Sequence, residues 1–191
     1  MSSILKRVLD EIEKGRSALN LIVFDEKISK LSLAGITVAP LHDYFLPSVF
    51  AAFESQIGPA TRTLVIRYAK EVGLRDGIVL REIAINKKKF DVEEIIKIAV
   101  DFFRMWCNVG WGKMASIEFK DGYACLVRET SFEGEGYLKL GKGPAKTSRC
   151  IIALGYVLGV LEGLLKKKVV GEETECIGKG DKVCKFEVRW W

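Results

Sequence analysis

Cys150, Cys176 and Cys184 stand near the carboxy end of the chain among the acids Glu172, Glu173, Glu175 and Asp181. Deprotonated thiols and carboxylates bind metal ions, and three sulfurs with one oxygen make a tetrahedral zinc shell. Cys176 and Cys184 flank the turn sequence Ile177-Gly178-Lys179-Gly180-Asp181. A hairpin there sets the two cysteines opposite or diagonal to each other, within reach of one ion. Cys150 falls in the first turn of an apolar helix, where the macrodipole and free amides stabilise a thiolate. The fourth ligand is open at this level. In an ideal strand Glu172 shares a face with Cys176, whereas Glu173 and Glu175 point away, which favours Glu172 or a water. A bulge near Gly171 changes that choice. The competing reading is a reduced cross-strand pair, Cys176 and Cys184, with Cys150 merely buried.

These residues need a helix and a hairpin to carry them. Thr147 or Ser148 caps a helix that runs to about Leu165 and is apolar almost all round, the pattern of a buried helix. Lys168–Ile177 and Lys182–Trp190 form the closing hairpin. Upstream, Met114–Lys120 and Tyr123–Arg128 flank Asp121-Gly122, a strong hairpin signal. That loop pairs Phe119 with Ala124, Ile117 with Leu126 and Glu118 with Cys125. Residues 130–146 are rich in glycine and hold a proline, so they read as a loop or irregular strand. Asp91 with Glu94 makes a capping-box-like start for an amphipathic helix ending near Asn108–Gly110. Gly110-Trp111-Gly112 follows as a flexible entry to the next strand. A helix runs from Asp43 past Pro47, and another from Pro59 to Gly73. Arg75-Asp76-Gly77 reads as a turn, and Ile78–Ile85 fits either helix or strand. At the amino end, residues 3–14 have helical periodicity that Gly15 ends, and Leu19–Phe24 with Lys27–Ala34 read as a hairpin.

Strands therefore come in adjacent pairs, with helices between the pairs. The expected fold class is α+β, an antiparallel sheet with helices packed against it. Residues 1–38 form an amino-terminal helix and hairpin for packing or dimerisation, and residues 39–191 form the main domain. The 191-residue length suits one well-buried domain. Apolar runs stop short of the ~20 residues of a membrane span, and the first residues lack the pattern of a signal peptide, so the chain reads as cytoplasmic. Five cysteines without a secretory signal read as reduced thiols and ligands rather than a disulfide framework. The net charge of +5 is spread among acids. Lys87–Lys89 and Lys166–Lys168 read as solvated loop or helix ends, which argues against nucleic acid as a partner.

Cys150, the Gly-containing apolar helix (Gly155, Gly159, Gly163), Glu-x-x-Cys and Gly-x-Gly-Asp-x-x-Cys-x-Phe together resemble the vinyl-4-reductase domain family. Gly110-Trp111-Gly112 after a helix adds to the likeness, which covers roughly residues 40–190. The family includes archaeal stand-alone proteins, a bacteriochlorophyll-pathway protein and the sensor domains of phenol-responsive regulators. The resemblance implies the fold of vesicle-tethering subunits and haem-based nitric-oxide sensors, with a small-molecule cavity between sheet and helices. It also implies zinc ligands in the order Cys, Glu, Cys, Cys. On this chain these are Cys150, Glu173, Cys176 and Cys184, with Glu173 taken against the ideal-strand argument. His42 is the only histidine, and it makes no case for a haem ligand.

A ligand cavity needs apolar walls with a few polar groups. The aromatic candidates are Phe50, Phe53, Phe102, Phe103, Trp106, Trp111, Phe119 and Tyr123. The residues lack a nucleotide fingerprint, a redox CxxC and an acid–base constellation outside the metal shell, which favours binding over catalysis. The expected function is a zinc-stabilised domain, as a homodimer, that binds or senses a small hydrophobic or aromatic molecule and signals through a protein partner. The alternatives are an accessory protein or reductase acting on a vinyl-bearing tetrapyrrole, and a structural adaptor with a filled core.

Overall fold

A computed structural model describes residues 22–27, 30–33, 36–38, 41–86 and 92–191. The helix expected over residues 3–14, the Asp91 cap and Lys87–Lys89 lie outside the described residues. Strands β1 (Ile22–Asp25), β2 (Lys30–Leu33) and β3 (Ile36–Val38) form a small antiparallel sheet in that order. The amino-terminal hairpin is thus present, and it gains a third strand.

Three helices follow, α1 (Phe45–Ile57), α2 (Ala60–Asn86) and α3 (Val92–Trp106). Then come β4 (Met114–Lys120), β5 (Tyr123–Arg128), α4 (Phe132–Leu138), α5 (Ile151–Leu165), β6 (Val169–Glu175) and β7 (Cys184–Trp190). The four later strands form one antiparallel sheet in the order β4-β5-β7-β6. The fold class is the mixed helix and antiparallel sheet expected. In the β4–β5 hairpin, Phe119 pairs with Ala124, Ile117 with Leu126 and Glu118 with Cys125, as the Asp-Gly turn requires.

Helix α2 departs from the expectation of a stop at Gly73 and a turn at Arg75-Asp76-Gly77. It runs unbroken for 27 residues. A glycine inside a helix costs about 1 kcal/mol against alanine, and packing against α5 offsets it. A Cβ on Gly73 would lie 2.3 Å from the Tyr156 carbonyl oxygen, and one on Gly77 would lie 2.2 Å from that of Val160. From the other side, Gly155, Gly159 and Gly163 of α5 meet the carbonyl oxygens of Ile66, Lys70 and Leu74 at 2.4, 2.0 and 2.4 Å by the same construction. The two backbones therefore touch, with no room for any side chain between them. Arg81 and Lys70 tie the helices further, donating to Leu164 O (2.7 Å) and Val169 O (3.0 Å).

Helix α5 is buried on nearly every face. Its other side meets the sheet, where a Cβ on Gly171 would lie 3.1 Å from Leu158 Cδ2. Phe102, Leu80, Leu126, Leu161, Leu164, Phe186 and Val188 fill the core around it.

The stretch 130–146 is not wholly a loop or strand. It holds α4, started by a reciprocal cap: Gly134 N donates to Ser131 Oγ (3.1 Å) and Ser131 N to Glu135 Oε1 (3.2 Å). Glycines that suggested a loop are there for closeness. A Cβ on Gly136 would lie 2.2 Å from the Asp43 carbonyl oxygen.

Replacing Gly159 by Ala is expected to destabilise the protein by about 3 kcal/mol, the upper part of the range for overpacking. Ser55→Ala on the exposed surface of α1 is expected to change stability by less than about 0.5 kcal/mol. Urea unfolding of both variants checks the contrast.

Candidate metal centre and adjoining cavity

Cys150 occupies the capping position of α5, further along the chain than the expected Thr147 or Ser148. The carbonyl and hydroxyl oxygens of Ser148 accept instead from the Arg62 guanidinium. Cys176 follows the end of β6, and Cys184 opens β7 opposite Arg128 of β5. Between them the chain makes one tight turn at Ile177–Lys179 and leaves it through Gly180 at φ 96°. Asp181 fastens this knuckle, its Oδ2 accepting from Cys176 N at 2.8 Å.

Glu173 reaches the same point because β6 is bulged. The ladder pairs Glu173 with Phe186 but Glu175 with Lys185, so Thr174 is the extra residue. The bulge reverses strand parity just before Cys176. Glu173 is buried and Glu172 is exposed. The ideal-strand choice of Glu172 fails for this reason, and the bulge lies nearer the cysteine than Gly171.

One donor atom from each of Cys150, Glu173, Cys176 and Cys184 lies within 4.8 Å of the other three, and all four residues are buried. The sulfurs of Cys150 and Cys184 are 3.3 Å apart. Each sulfur has a polar neighbour of its own: Ser131 Oγ at 3.0 Å from Cys150, Arg149 N at 3.2 Å from Cys176 and Ile177 N at 3.4 Å from Cys184. Cys150 N donates to Glu173 Oε2 at 3.0 Å, while Glu173 Oε1 is buried with no hydrogen-bond partner. Four acids so close cannot all ionise unaided. Burial, then the neighbouring Cys176, pushes Glu173 up to about 8. Burial likewise raises Cys150, whereas hydrogen bonds from Cys150 and Cys184 hold Cys176 well below its ordinary range. The orphaned carboxylate oxygen and the three-sulfur donor set fit a divalent cation, so this cluster can hold a metal ion.

A second acid supports the site. Glu133 of α4 is 1 % exposed, and it accepts from Ile152 N (2.8 Å) and Ala153 N (3.0 Å) at the start of α5. It is the cap that α5 lacks in its own sequence. Burial pushes its pKa up to about 7, against the Arg128 charge and the two amides. Arg128 is 3 % exposed, lies 4.7 Å over the Phe186 ring and donates to Trp111 O at 2.7 Å. Burial works against its charge, but Cys150, Glu133 and Cys184 overcome that and raise its pKa.

Beside the cluster, between α3, α5 and the sheet, lies a narrow cavity with about 360 Å³ of empty space. Of the expected aromatic residues, Phe103, Trp106 and Trp111 line it. Phe102 stands behind them in the core, with its ring 6.2 Å from those of Phe103 and Trp106. The others lie elsewhere. Phe119 packs on Trp190 at 6.2 Å beside a groove lined by Arg81 and Lys167. Tyr123 opens β5, paired with Lys120 and Arg189. Phe50 borders clefts next to Arg149, and Phe53 is 54 % exposed. Arg128, Tyr156 and Phe186 also line the cavity and were missed in the sequence. Arg128 did leave a signal, because it continues the inward face of Ala124 and Leu126. Tyr156 donates to Asp76 Oδ2 at 2.5 Å, which joins the cavity to α2. Trp111 lines the cavity and also an open outer groove of about 850 Å³ that holds His42, itself stacked on Tyr44.

The site and fold define an α+β domain with a metal-competent thiol–carboxylate cluster under an aromatic cavity. The vinyl-4-reductase domain model matches residues 138–190, the segment that holds all four cluster residues. The resemblance read from those residues is thereby borne out. The chain is 21 % identical over 194 residues to the phenol regulator MopR of Acinetobacter guillouiae, a match that covers 96 % of this chain and 33 % of the regulator. It therefore spans about a third of that relative's length. The fold is similar to the phenol-responsive sensory domain of the transcription activator PoxR, solved with phenol. The TM-score is 0.68 at 19 % identity, over 100 % of this chain and 92 % of that one. It is also similar to a trafficking protein particle complex subunit 3 from Naegleria fowleri covalently bound to palmitic acid. There the TM-score is 0.50 at 16 % identity, over 78 % of this chain and 95 % of that one.

Glu133→Ala leaves two amides of α5 unpaired and Arg128 without its nearby acid. It is expected to cost about 3–5 kcal/mol, the scale for breaking a buried charge pair. Glu135→Ala removes only one arm of the α4 cap and is expected to cost about 1 kcal/mol. Chemical denaturation of the two variants separates the roles.

Proposed function

We propose that this chain is a small-molecule-sensing domain whose inner cavity takes a small hydrophobic or aromatic molecule, with a structural zinc ion as the clasp beneath it. The observation that carries the reading is the cavity itself. It is enclosed by aromatic rings at the junction of α3, α5 and the sheet, the kind of concave apolar site that small ligands occupy. Because the empty space is thin, a bound ring parts Trp106, Trp111 and Tyr156, and occupancy is thereby coupled to α2 and α3. The likeness in fold to a phenol-responsive sensory domain supports the reading.

Cys150, Glu173, Cys176 and Cys184 would hold the zinc. With four protein ligands the ion has no open position for substrate, so it supplies folding energy rather than catalysis. It joins the start of α5 to the β6–β7 knuckle and so fixes the floor of the cavity.

A thermal-shift screen with small aromatic molecules tests the cavity. A ligand at a hundredfold excess over its Kd is expected to raise Tm by about 5 °C or more. Val157→Phe, which fills the cavity, is expected to fold and lose that shift. If no compound moves the wild-type Tm, the reading is wrong.

Elemental analysis is expected to find about one zinc per chain. Cys184→Ser is expected to lose it and lower Tm by about 10 °C or more, the scale set by losing several kcal/mol. Protons compete with the ion for Glu173, whose pKa is raised to about 8 by burial and Cys176. Zinc affinity of the metal-free protein is therefore expected to rise with pH toward and through 8, and Glu173→Gln to flatten the dependence over that range. Competition with a chelator across pH measures both.

A further inference from the structure

The polar groups that face the cavity are unevenly matched. Two guanidinium positions of Arg128, Nε and Nη2, are buried and have no hydrogen-bond partner. Trp106 Nε1 is a third buried donor without one; it approaches the Tyr156 hydroxyl without forming a hydrogen bond. Arg128 and Trp106 both line the cavity. The Tyr156 hydroxyl already gives its proton to Asp76. The lining therefore holds surplus donors, and its remaining wall is aromatic and aliphatic.

The neighbouring acids do not account for this surplus. Cys150, Glu133 and Cys184 stabilise the charge of Arg128, but a Coulombic pull supplies no acceptor to its N–H groups. Glu133 spends both oxygens on the amides of α5, and Arg128 Nη1 is occupied by Trp111 O. Unmet buried donors are costly and rare in folded proteins. A ligand that brings an acceptor removes that cost, and one that brings none leaves it in place.

We infer that the cavity selects molecules in which an aromatic or similarly apolar body carries an sp² oxygen head, a carbonyl or a carboxylate, that accepts from Arg128 and Trp106. This deepens the proposed function and rests on its placement of the ligand in this cavity. The apolar body lies against Phe103, Trp111 and Tyr156. The planar guanidinium edge takes the oxygen lone pairs, the geometry in which arginine binds such heads best. Selection by unpaired polar groups is steep, because an analogue without the matching group leaves them unmet.

Isothermal titration calorimetry with acetophenone, benzoate, phenol and toluene on the full chain tests this. Acetophenone or benzoate is expected to bind roughly tenfold or more tightly than toluene, the scale of one hydrogen bond to a charged group, and more tightly than phenol. Benzoate alone would mean that the charge of the head contributes, and acetophenone alone that the hydrogen bond suffices; both outcomes support the inference. Trp106→Phe keeps the ring and removes the donor. It is expected to weaken the oxygen-headed ligands about fivefold while leaving toluene unchanged. Arg128→Gln, if folded by circular dichroism, is expected to abolish the preference; Trp106→Phe carries the test if it does not fold. Phenol or toluene binding as tightly as both oxygen-headed compounds overturns the inference and leaves the cavity reading intact. Failure of all four to bind overturns the cavity reading and the inference with it.

Discussion

The contact between α2 and α5 sets the rest of the molecule. Five glycines, Gly73 and Gly77 on one helix and Gly155, Gly159 and Gly163 on the other, let two backbones meet. Their spacing at four-residue intervals puts them on one stripe of each helix. Close approach there frees the other faces of α5 for the sheet and for α3. A helix buried on every side needs partners on every side, and one side chain in this seam would lift α5 off the sheet. The start of α5 carries Cys150, and its next turns form one wall of the cavity. Cluster and cavity thus both depend on where the glycine seam holds this helix.

The metal-competent cluster depends on two further details. One is the bulge at Thr174, which turns Glu173 inward just before Cys176. The other is Glu133, which comes from a different helix to satisfy the first amides of α5. The capping position is held by a cysteine whose side chain turns to the cluster, so the usual local cap is absent. Buried helix ends without partners are costly, and here the partner comes from across the fold. Cap, cluster and Arg128 form one buried group of charges in which each member limits what the others can do.

The cavity lies on the other side of Arg128. The same guanidinium meets the cluster's field and faces the aromatic walls. Phe186 lies beneath it, and Trp111 gives it a carbonyl and also borders the outer groove. Gly110 and Gly112, at φ 113° and 117°, bend the chain around Trp111. Metal site, arginine and aromatic wall are therefore neighbours in space, although they come from separate stretches of the chain.

Local chemistry made much of this legible in advance. The Asp121-Gly122 turn determined the β4–β5 register, since a two-residue loop leaves one pairing. The unbroken apolar pattern of Ile151–Leu165 identified the buried helix. The spacing of Cys176 and Cys184 around a glycine-rich turn brought two sulfurs together. What the sequence could not decide were effects in which distant residues override local preference. Gly73 and Gly77 read as helix breakers because their compensation lies on α5, far along the chain. The glycines of 130–146 read as loop because their neighbours, Asp43 and Gly178, belong to other segments. Strand parity chose Glu172 because a bulge is set by the partner strand. Of the eight aromatic candidates, only three line the inner cavity, because hydrophobicity marks what is buried but not which buried faces leave a gap. Arg128 and Glu133 meet only across the sheet and two helices. Their burial is a property of the packed tertiary structure, which alone could bring two opposite charges out of water together.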